Sequence, residues 1–176
     1  NRAWEVTFNT IFLNAMFLFF GTLMSVGLAL ILNEVKSKAF VRISQSTMLF
    51  PYFISWVIVS YILYALLSTD KGVFNNILMA LGLVKVRWYS RPELWRGILV
   101  FARVWKTAGY TMIIYLAAIV GIDHSLFEAA AIDGANRWQC IRRITIPLIT
   151  PTICIMILLE VGKIFCGDFG MVYALV

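Results

Sequence analysis

The chain has 176 residues, of which 61% are hydrophobic and only 14% are charged, and its formal net charge at pH 7 is +6. A soluble domain of this length does not bury so large an apolar fraction, so the composition excludes an ordinary soluble domain and indicates lipid as the solvent. The basic residues are scattered among the apolar segments, which is typical of span ends near lipid headgroups and does not predict binding to nucleic acid.

Two long segments without a charged residue predict membrane-spanning helices. They are residues 6–33 and 43–69, and each exceeds the roughly 20 residues that a helix needs to cross the bilayer core. Two shorter apolar segments, 107–122 and 144–159, reach that length when their charged neighbours are included. We therefore expect an all-α, polytopic membrane domain over residues 1–176, with about four spans near 9–32, 46–67, 98–120 and 148–166.

The first apolar segment is too long for a signal peptide, and no small-residue cleavage site follows it. Because the sequence begins without Met and ends in an apolar run, we expect a fragment of a longer protein, truncated at both ends. Cys140, Cys154 and Cys166 show no C-x-x-C spacing, and His124 is the only histidine. Single buried thiols are therefore expected, and a metal site is not.

The segment between the second and third spans contains one short amphipathic pattern. Phe74, Ile77, Leu78 and Leu81 recur at helical spacing, and Gly82 follows them. We expect an interfacial helix over 72–83 that lies along the membrane surface. The basic residues of the loops divide equally between the two faces of a four-span chain, so charge alone gives no orientation.

The connection between the third and fourth spans, residues 121–147, is the polar centre of the chain. Asp123 or Ser125 is a candidate helix cap, with Glu128 at the third helical position if Ser125 is the cap. Alanines sustain the helix and Gly134 ends or bends it, after which a second helical piece runs to Pro147. The pattern predicts a structured helix–turn–helix.

Six residues of this loop carry a resemblance to a known family. Glu-Ala-Ala, a Gly six positions after the Glu, and Ile-x-Leu-Pro after nine intervening residues resemble the signature loop of type I ABC importer permeases. The six residues are Glu128, Ala129, Ala130, Gly134, Ile144 and Pro147, and Ile146 replaces the usual Leu before the proline. Weaker motifs, among them Asn9-Thr10, Leu49-Phe50-Pro51-Tyr52 and Trp105-Lys106…Gly109, resemble the carbohydrate-importer branch, in particular permeases for polysaccharides and oligosaccharides.

The resemblance implies a cytoplasmic coupling helix, over residues 126–138, that docks on a separate ATPase and passes its closure to the membrane helices. It implies a second homologous permease, an ABC ATPase dimer that binds ATP and magnesium, an extracytoplasmic substrate-binding protein, and a multi-pass location in a bacterial inner membrane. The residues expected to couple to the ATPase are Glu128, Ala129, Ala130, Ala131, Asp133, Gly134, Ala135, Arg137, Trp138, Arg142 and Pro147.

No phosphate-binding loop of the form G-x-x-x-x-G-K-[ST] occurs in the sequence. ATP hydrolysis is therefore expected in a partner, and this chain is expected to bind no cofactor and to have no catalytic residue.

Charged and aromatic residues near the spans are the candidates for the transport path. We expect Arg103 and Lys106 to reach the surface or to pair structurally, with a transport role as the alternative, and Glu160 to pair with Lys163. Aromatic rings that stack on sugars, with Tyr52 and Trp56 on one face of the second span, make Tyr52, Trp56, Tyr61 and Tyr64 candidate substrate contacts.

Three alternatives differ in what they require of the sequence. The same architecture with an amino acid, peptide or inorganic ion as cargo remains open. An ion-coupled secondary transporter requires functional intramembrane acids, of which only Glu160 qualifies. A membrane enzyme requires a His/Asp/Glu or Ser/His cluster, which this sequence does not contain.

Overall fold

A computed structural model describes residues 2–164 and 168–175, and those residues form helices joined by short turns. Cys166 and the last residues of the fourth predicted span lie outside the described residues. The helices are α1 (Arg2–Glu34), α2 (Lys38–Phe53), α3 (Trp56–Leu67), α4 (Val73–Ala80), α5 (Pro92–Val120), α6 (His124–Ile132), α7 (Arg137–Cys140), α8 (Ile146–Val161) and α9 (Phe169–Leu175), with a 3₁₀ turn over Trp88–Ser90 and a π turn over Ile141–Thr145.

The first, third and fourth predicted spans are found as helices with shifted ends. Residues Trp4–Glu34 and Arg137–Val161 are each long and apolar enough to cross a membrane. The third span lies within α5, which begins with Pro92 in its first turn, where a proline costs little because the first N–H groups of a helix are unpaired anyway. The fourth begins eleven residues earlier than expected, at Arg137 rather than at 148.

The second predicted span, 46–67, is not one helix. Helices α2 and α3 meet at a bend of 100°, with Ile54 and Ser55 between them. Pro51 lies in the last turn of α2, just before the bend. By length and composition, the described residues thus contain two helices that could cross a membrane, or up to four spans if each bent pair is counted as one. The other bent pair is α5 and α6, with a bend of 65°.

Helix α5 is the centre of the fold, because both hydrophobic clusters are built on it. Towards its C-terminal end, Met112, Tyr115 and Ile119 pack with Ala29 of α1 and Ile149 of α8. Towards its N-terminal end it packs against α3 and α9, through Trp95, Leu99, Ala102, Val59, Met171 and Leu175. Many other large apolar side chains remain exposed on this single chain, as expected of surfaces that face lipid or other subunits.

The expected interfacial helix is present as α4, and it ends as the sequence predicts. Gly82 has a φ of +75°, and the N–H of Leu83 donates to the carbonyl of Leu78 at 2.8 Å, which is the bonding pattern of a glycine helix end. The fully buried Asn75 holds this region together, donating to the Val86 carbonyl at 2.9 Å and accepting from the Val86 N–H at 3.0 Å. The placement of α4 along a membrane surface stays a prediction.

Helices α2 and α5 are in close backbone contact at Gly109. A Cβ atom added to Gly109 would overlap the backbone carbonyl of Met48, whereas one added to Gly97, on the same helix, would meet nothing within 4 Å. Small residues allow such backbone contact between membrane helices, and here the contact fixes the position of α2 on α5.

We expect Gly109→Ala to destabilise the protein by about 1–3 kcal/mol, because the new methyl group forces α2 away from α5. Thermal unfolding followed by fluorescence-detected size exclusion in detergent measures the effect. Gly97→Ala is the matched control and should leave the midpoint unchanged or raise it slightly, since an exposed helical Gly-to-Ala change is neutral or mildly favourable. Equal midpoints for both variants would contradict the close contact.

Candidate functional site

The polar loop begins with a cap on α6 that the sequence left undecided between two residues. Asp123 is the cap, because its Oδ1 accepts the N–H of Ser125 at 3.0 Å. This hydrogen bond to the charged form lowers the pKa of the Asp123 carboxyl, so the cap is present above the ordinary carboxyl pKa and is lost as the pH falls through the lowered one. Glu128 is therefore not part of a capping box. It lies 3.4 Å from His124 Nδ1 on the exposed surface of the helix.

The end of α6 is a tight turn rather than a continuation of the helix. Gly134 has a φ of +75°, and the N–H groups of Gly134 and Ala135 donate to the carbonyls of Ala131 and Ala130 at 3.1 and 2.9 Å. This pair of hydrogen bonds closes the helix, and the left-handed conformation at position 134 favours glycine. The expected coupling helix over 126–138 is therefore wrong in its bounds: α6 ends at Ile132.

A capping box, not anticipated from the sequence, begins the next helix. The Asn136 side chain accepts the N–H of Gln139 at 2.9 Å, and the Gln139 side chain accepts the N–H of Asn136 at 2.8 Å. The Asn-x-x-Gln spacing was the signal that could have revealed it.

The second helical piece does not stop at Pro147 as expected. Pro147 lacks an N–H, and its ring crowds the carbonyl one turn earlier, so the backbone widens into the π turn over Ile141–Thr145 and continues into α8. Residues Arg137–Val161 thus form one helical rod of 25 residues that enters the apolar region from the loop.

The loop presents a surface that is almost entirely exposed. Arg137 Nη1 donates to Glu34 Oε2 at 2.7 Å, which ties the start of α7 to the end of α1. The side chain of Ile132, absent from the sequence-based candidates, is 87% exposed, and that of Trp138 is 69% exposed. Of the predicted coupling residues, Ala130 and Ala135 are half-buried and the rest are exposed, namely Glu128, Ala129, Ala131, Asp133, Gly134, Arg137, Trp138, Arg142 and Pro147.

A second polar feature follows one face of α5. Arg103, Thr107, Thr111 and Tyr115 recur every fourth residue, and with Glu160 of α8 they line a small cavity beside α1. Both threonine hydroxyls donate to carbonyls one turn earlier in α5, that of Thr107 at 2.8 Å. The Tyr115 hydroxyl is buried next to Thr22, without a well-formed hydrogen bond among the described residues.

The structure bears out the expected structural pairing of Arg103 near this cavity and contradicts the expected pairing of Glu160. Arg103 forms an ion pair with Asp168, whose other carboxylate oxygen accepts the N–H of Met171 at the start of α9. This confirms a structural partner for Arg103. The expected pair of Glu160 with Lys163 is not formed, because residues 162–164 leave the helix in a turn and only the backbone N–H of Lys163 bonds to Glu160, at its carbonyl.

The aromatic candidates separate into two groups. Because α2 ends between them, Tyr52 and Trp56 do not share a helical face, yet both lie beside Lys106 of α5, with the ammonium 5.6 and 5.4 Å from their ring centroids. Tyr110, which the sequence did not single out, stacks on Tyr52 with centroids 4.6 Å apart. We call Tyr52, Trp56, Lys106 and Tyr110 the aromatic cluster.

The other two candidates lie outside this cluster. Tyr61 is 70% exposed on α3, and the ring centroid of Tyr64 lies 6.0 Å from that of Tyr89.

Apolar helices of spanning length, joined by an exposed polar helix–turn–helix, define a multi-pass membrane protein. Residues 10–173 match the family model described as "Binding-protein-dependent transport system inner membrane component". The chain therefore belongs to the family of inner membrane components of binding-protein-dependent transport systems. The match confirms the resemblance drawn from the loop at 128–147, and the family is one of transport subunits.

Relatives of this chain include permeases of sugar transport systems. The chain is 36% identical to the polygalacturonan/rhamnogalacturonan transport system permease protein YteP of Bacillus subtilis, over 95% of this chain and 52% of that protein. It is 31% identical to the trehalose/maltose transport system permease protein MalF of Thermococcus litoralis, over 89% of this chain and 52% of that protein. The chain thus spans about half the length of these relatives.

Solved structures of the same fold include two of alginate transporters. One is a bacterial ABC transporter involved in the import of the acidic polysaccharide alginate, with a TM-score of 0.92 and 41% identity over 96% of this chain and 59% of that chain. The other is a bacterial alginate ABC transporter in complex with an alginate pentasaccharide-bound periplasmic protein. Its TM-score is 0.90 and its identity is 42%, over 95% of this chain and 58% of that chain.

We expect Gly134→Ala to weaken the turn after α6, because a side chain at positive φ costs roughly 1–2 kcal/mol. Hydrogen–deuterium exchange of a peptide covering residues 130–138 should become faster in this variant. Gly134→Asn is the control, since Asn tolerates the left-handed conformation and should exchange more nearly like the parent. The same exchange rate in the Ala variant and in the parent would contradict a strained position.

Proposed function

We propose that this chain is part of a permease subunit of an ATP-driven importer, and that it lines the path of a carbohydrate through a bacterial inner membrane. The observation that carries the proposal is the exposed loop from α6 to α7, held between two rigid helices that enter the apolar region. Helix α5 leads into the loop and the Arg137–Val161 rod leads out of it. A displacement of the loop is therefore passed directly to both helices.

The surface of α6 and the following turn suits a docking partner. Ala129 and Ala131 allow close approach of another protein, Ile132 and Trp138 offer exposed apolar contacts, and Glu128 offers an exposed carboxylate. Large exposed apolar side chains beside a small-residue surface are typical of an interface. We assign the partner as an ATPase dimer that binds ATP and magnesium, since the chain has no phosphate-binding loop of its own.

The two ends of α5 give the orientation of the importer. The helix has 29 residues, about 43 Å at the helical rise, so the loop after Val120 and the segment before Pro92 lie at opposite ends of it. If the ATPase docks on α6, this end is cytoplasmic, and α4 faces the outside. An extracytoplasmic substrate-binding protein and a second permease subunit complete the proposed assembly.

The cargo is proposed from the relatives and from the groups that line the path. Relatives are named for polygalacturonan/rhamnogalacturonan and for trehalose/maltose, and a related structure belongs to an alginate importer. Within this chain, the stacked residues Tyr52 and Tyr110 are 39% and 43% exposed, so both offer accessible aromatic surface to a sugar ring. We therefore propose an oligosaccharide as the cargo.

We expect Glu128→Arg, introduced into the full-length protein expressed with the products of its neighbouring genes, to reduce co-purification of the ATPase at least tenfold. The reversed charge faces the residue that pairs with Glu128 in the complex, and like charges at a contact are repulsive. Lys85→Glu, a charge reversal at the opposite end of α5, is the control and should retain the ATPase. Normal co-purification and uptake with Glu128→Arg would sink the coupling role of α6.

We expect Tyr110→Ala to raise the KM for oligosaccharide uptake about 2- to 10-fold, the equivalent of one lost aromatic contact of ~0.5–1.5 kcal/mol. Uptake of a labelled sugar, identified from what the cognate binding protein holds, is measured in reconstituted vesicles. Tyr61→Ala removes an exposed tyrosine outside the aromatic cluster and should leave the KM unchanged. A rise with Tyr61→Ala but not with Tyr110→Ala would place the path elsewhere.

A further inference from the structure

The break between α2 and α3 leaves backbone polar groups that neighbouring residues in the sequence do not fully pair. It lies inside residues 43–69, a segment without charged residues, and turns the chain by 100°. A helix end leaves its last carbonyls and the first N–H groups of the next helix unpaired, and within an apolar membrane no water is available to pair them. These groups must be satisfied by the protein.

Local residues satisfy only part of the break. The Ser55 hydroxyl caps α3 by accepting the N–H of Ile58 at 3.4 Å, and the N–H of Ile54 donates to the Pro51 carbonyl at 3.2 Å. Among the described residues, no donor close in sequence reaches the carbonyl of Tyr52, in the last turn of α2.

Lys106, from the middle of α5, supplies the missing donor. Its Nζ donates to the Tyr52 carbonyl at 2.7 Å and to the Pro51 carbonyl at 3.4 Å. The residue is only 9% exposed, and none of the ion pairs among the described residues involves it. Its charge is compensated instead by the negative end of the α2 dipole and by the faces of Tyr52 and Trp56.

We propose that Lys106 is the positioning residue that locks the break between α2 and α3 onto α5. Together with the backbone contact of Gly109 against Met48, it holds the end of α2 and the middle of α5 as one body. It also sets the rings of Tyr52 and Trp56 beside Tyr110, which fixes the shape of the aromatic cluster.

The consequence for transport rests on the function proposed above. Because α5 leads directly into α6, a motion that enters at α6 reaches the aromatic cluster through α5 and Lys106, without passing through the intervening chain. Lys106 thereby links the coupling end of the molecule to the rings that we propose to contact the sugar.

The first test measures local backbone protection in the full-length permease, purified in lipid nanodiscs, and does not require transport. Lys106→Met keeps the length of the side chain and removes its donors. We expect hydrogen exchange in a peptide covering residues 51–58 to rise about tenfold, the effect of losing one charge-assisted hydrogen bond. Lys163→Met, the same substitution at an exposed turn, is the control and should leave that peptide unchanged.

A second variant and a reference peptide show whether the effect is specific to the donors of Lys106 and to the break. Lys106→Arg retains donors and should return the exchange of residues 51–58 towards the parent value, while a peptide from residues 22–32 of α1 should be unaffected in every variant. The proposal is overturned if exchange at 51–58 does not change in Lys106→Met, if it rises equally in α1, or if Lys106→Arg raises it as much as Lys106→Met does.

Transport by the same variants separates this proposal from the function on which it rests. We expect Lys106→Met to lower sugar uptake and Lys106→Arg to restore it in step with backbone protection. Loss of uptake in Lys106→Met with unchanged exchange would overturn the positioning role and indicate direct contact with the cargo. Absence of sugar uptake in the parent protein would refute the proposed function while leaving the exchange result intact.

Discussion

The constraint on which the structure depends is that every backbone polar group within an apolar segment needs a partner from the protein itself. Unbroken helices meet it along α1 and α5. Where the chain departs from a regular helix, particular residues meet it instead: Lys106 and Ser55 at the break after α2, and the π turn before Pro147. These departures also occur where the proposed function needs a change of direction, beside the aromatic cluster and next to the loop from α6 to α7.

Helix α5 connects these places. Its C-terminal half packs with α1 and α8, its N-terminal half packs with α3 and α9, and its middle holds the end of α2 through Lys106 and Gly109. The loop that follows it is tied to α1 by Arg137 and Glu34. A force applied to α6 therefore acts on a connected set of helices, which is the arrangement a permease driven by an external ATPase requires.

Features that depend on local sequence were predictable, and features that depend on distant residues were not. The apolar lengths gave α1, α5 and α8, and Gly134 and Gly82 ended their helices as expected, because a left-handed helix end depends on the glycine itself. The break at Ile54 and Ser55 was missed because the donor that stabilises it, Lys106, lies 54 residues from the Tyr52 carbonyl that it binds. Tyr110 was missed for the same reason, since only the fold brings it against Tyr52.

Docking of the ATPase on α6 is tested most directly by photo-cross-linking of the assembled transporter from two equally exposed apolar positions. Ile132, 87% exposed at the end of α6, and Val84, 86% exposed after α4, are each replaced by a photoreactive residue. Docking of the ATPase on α6 predicts a cross-link to the ATPase from position 132 and none from position 84. A cross-link to the ATPase from position 84, or its absence from position 132, would contradict it.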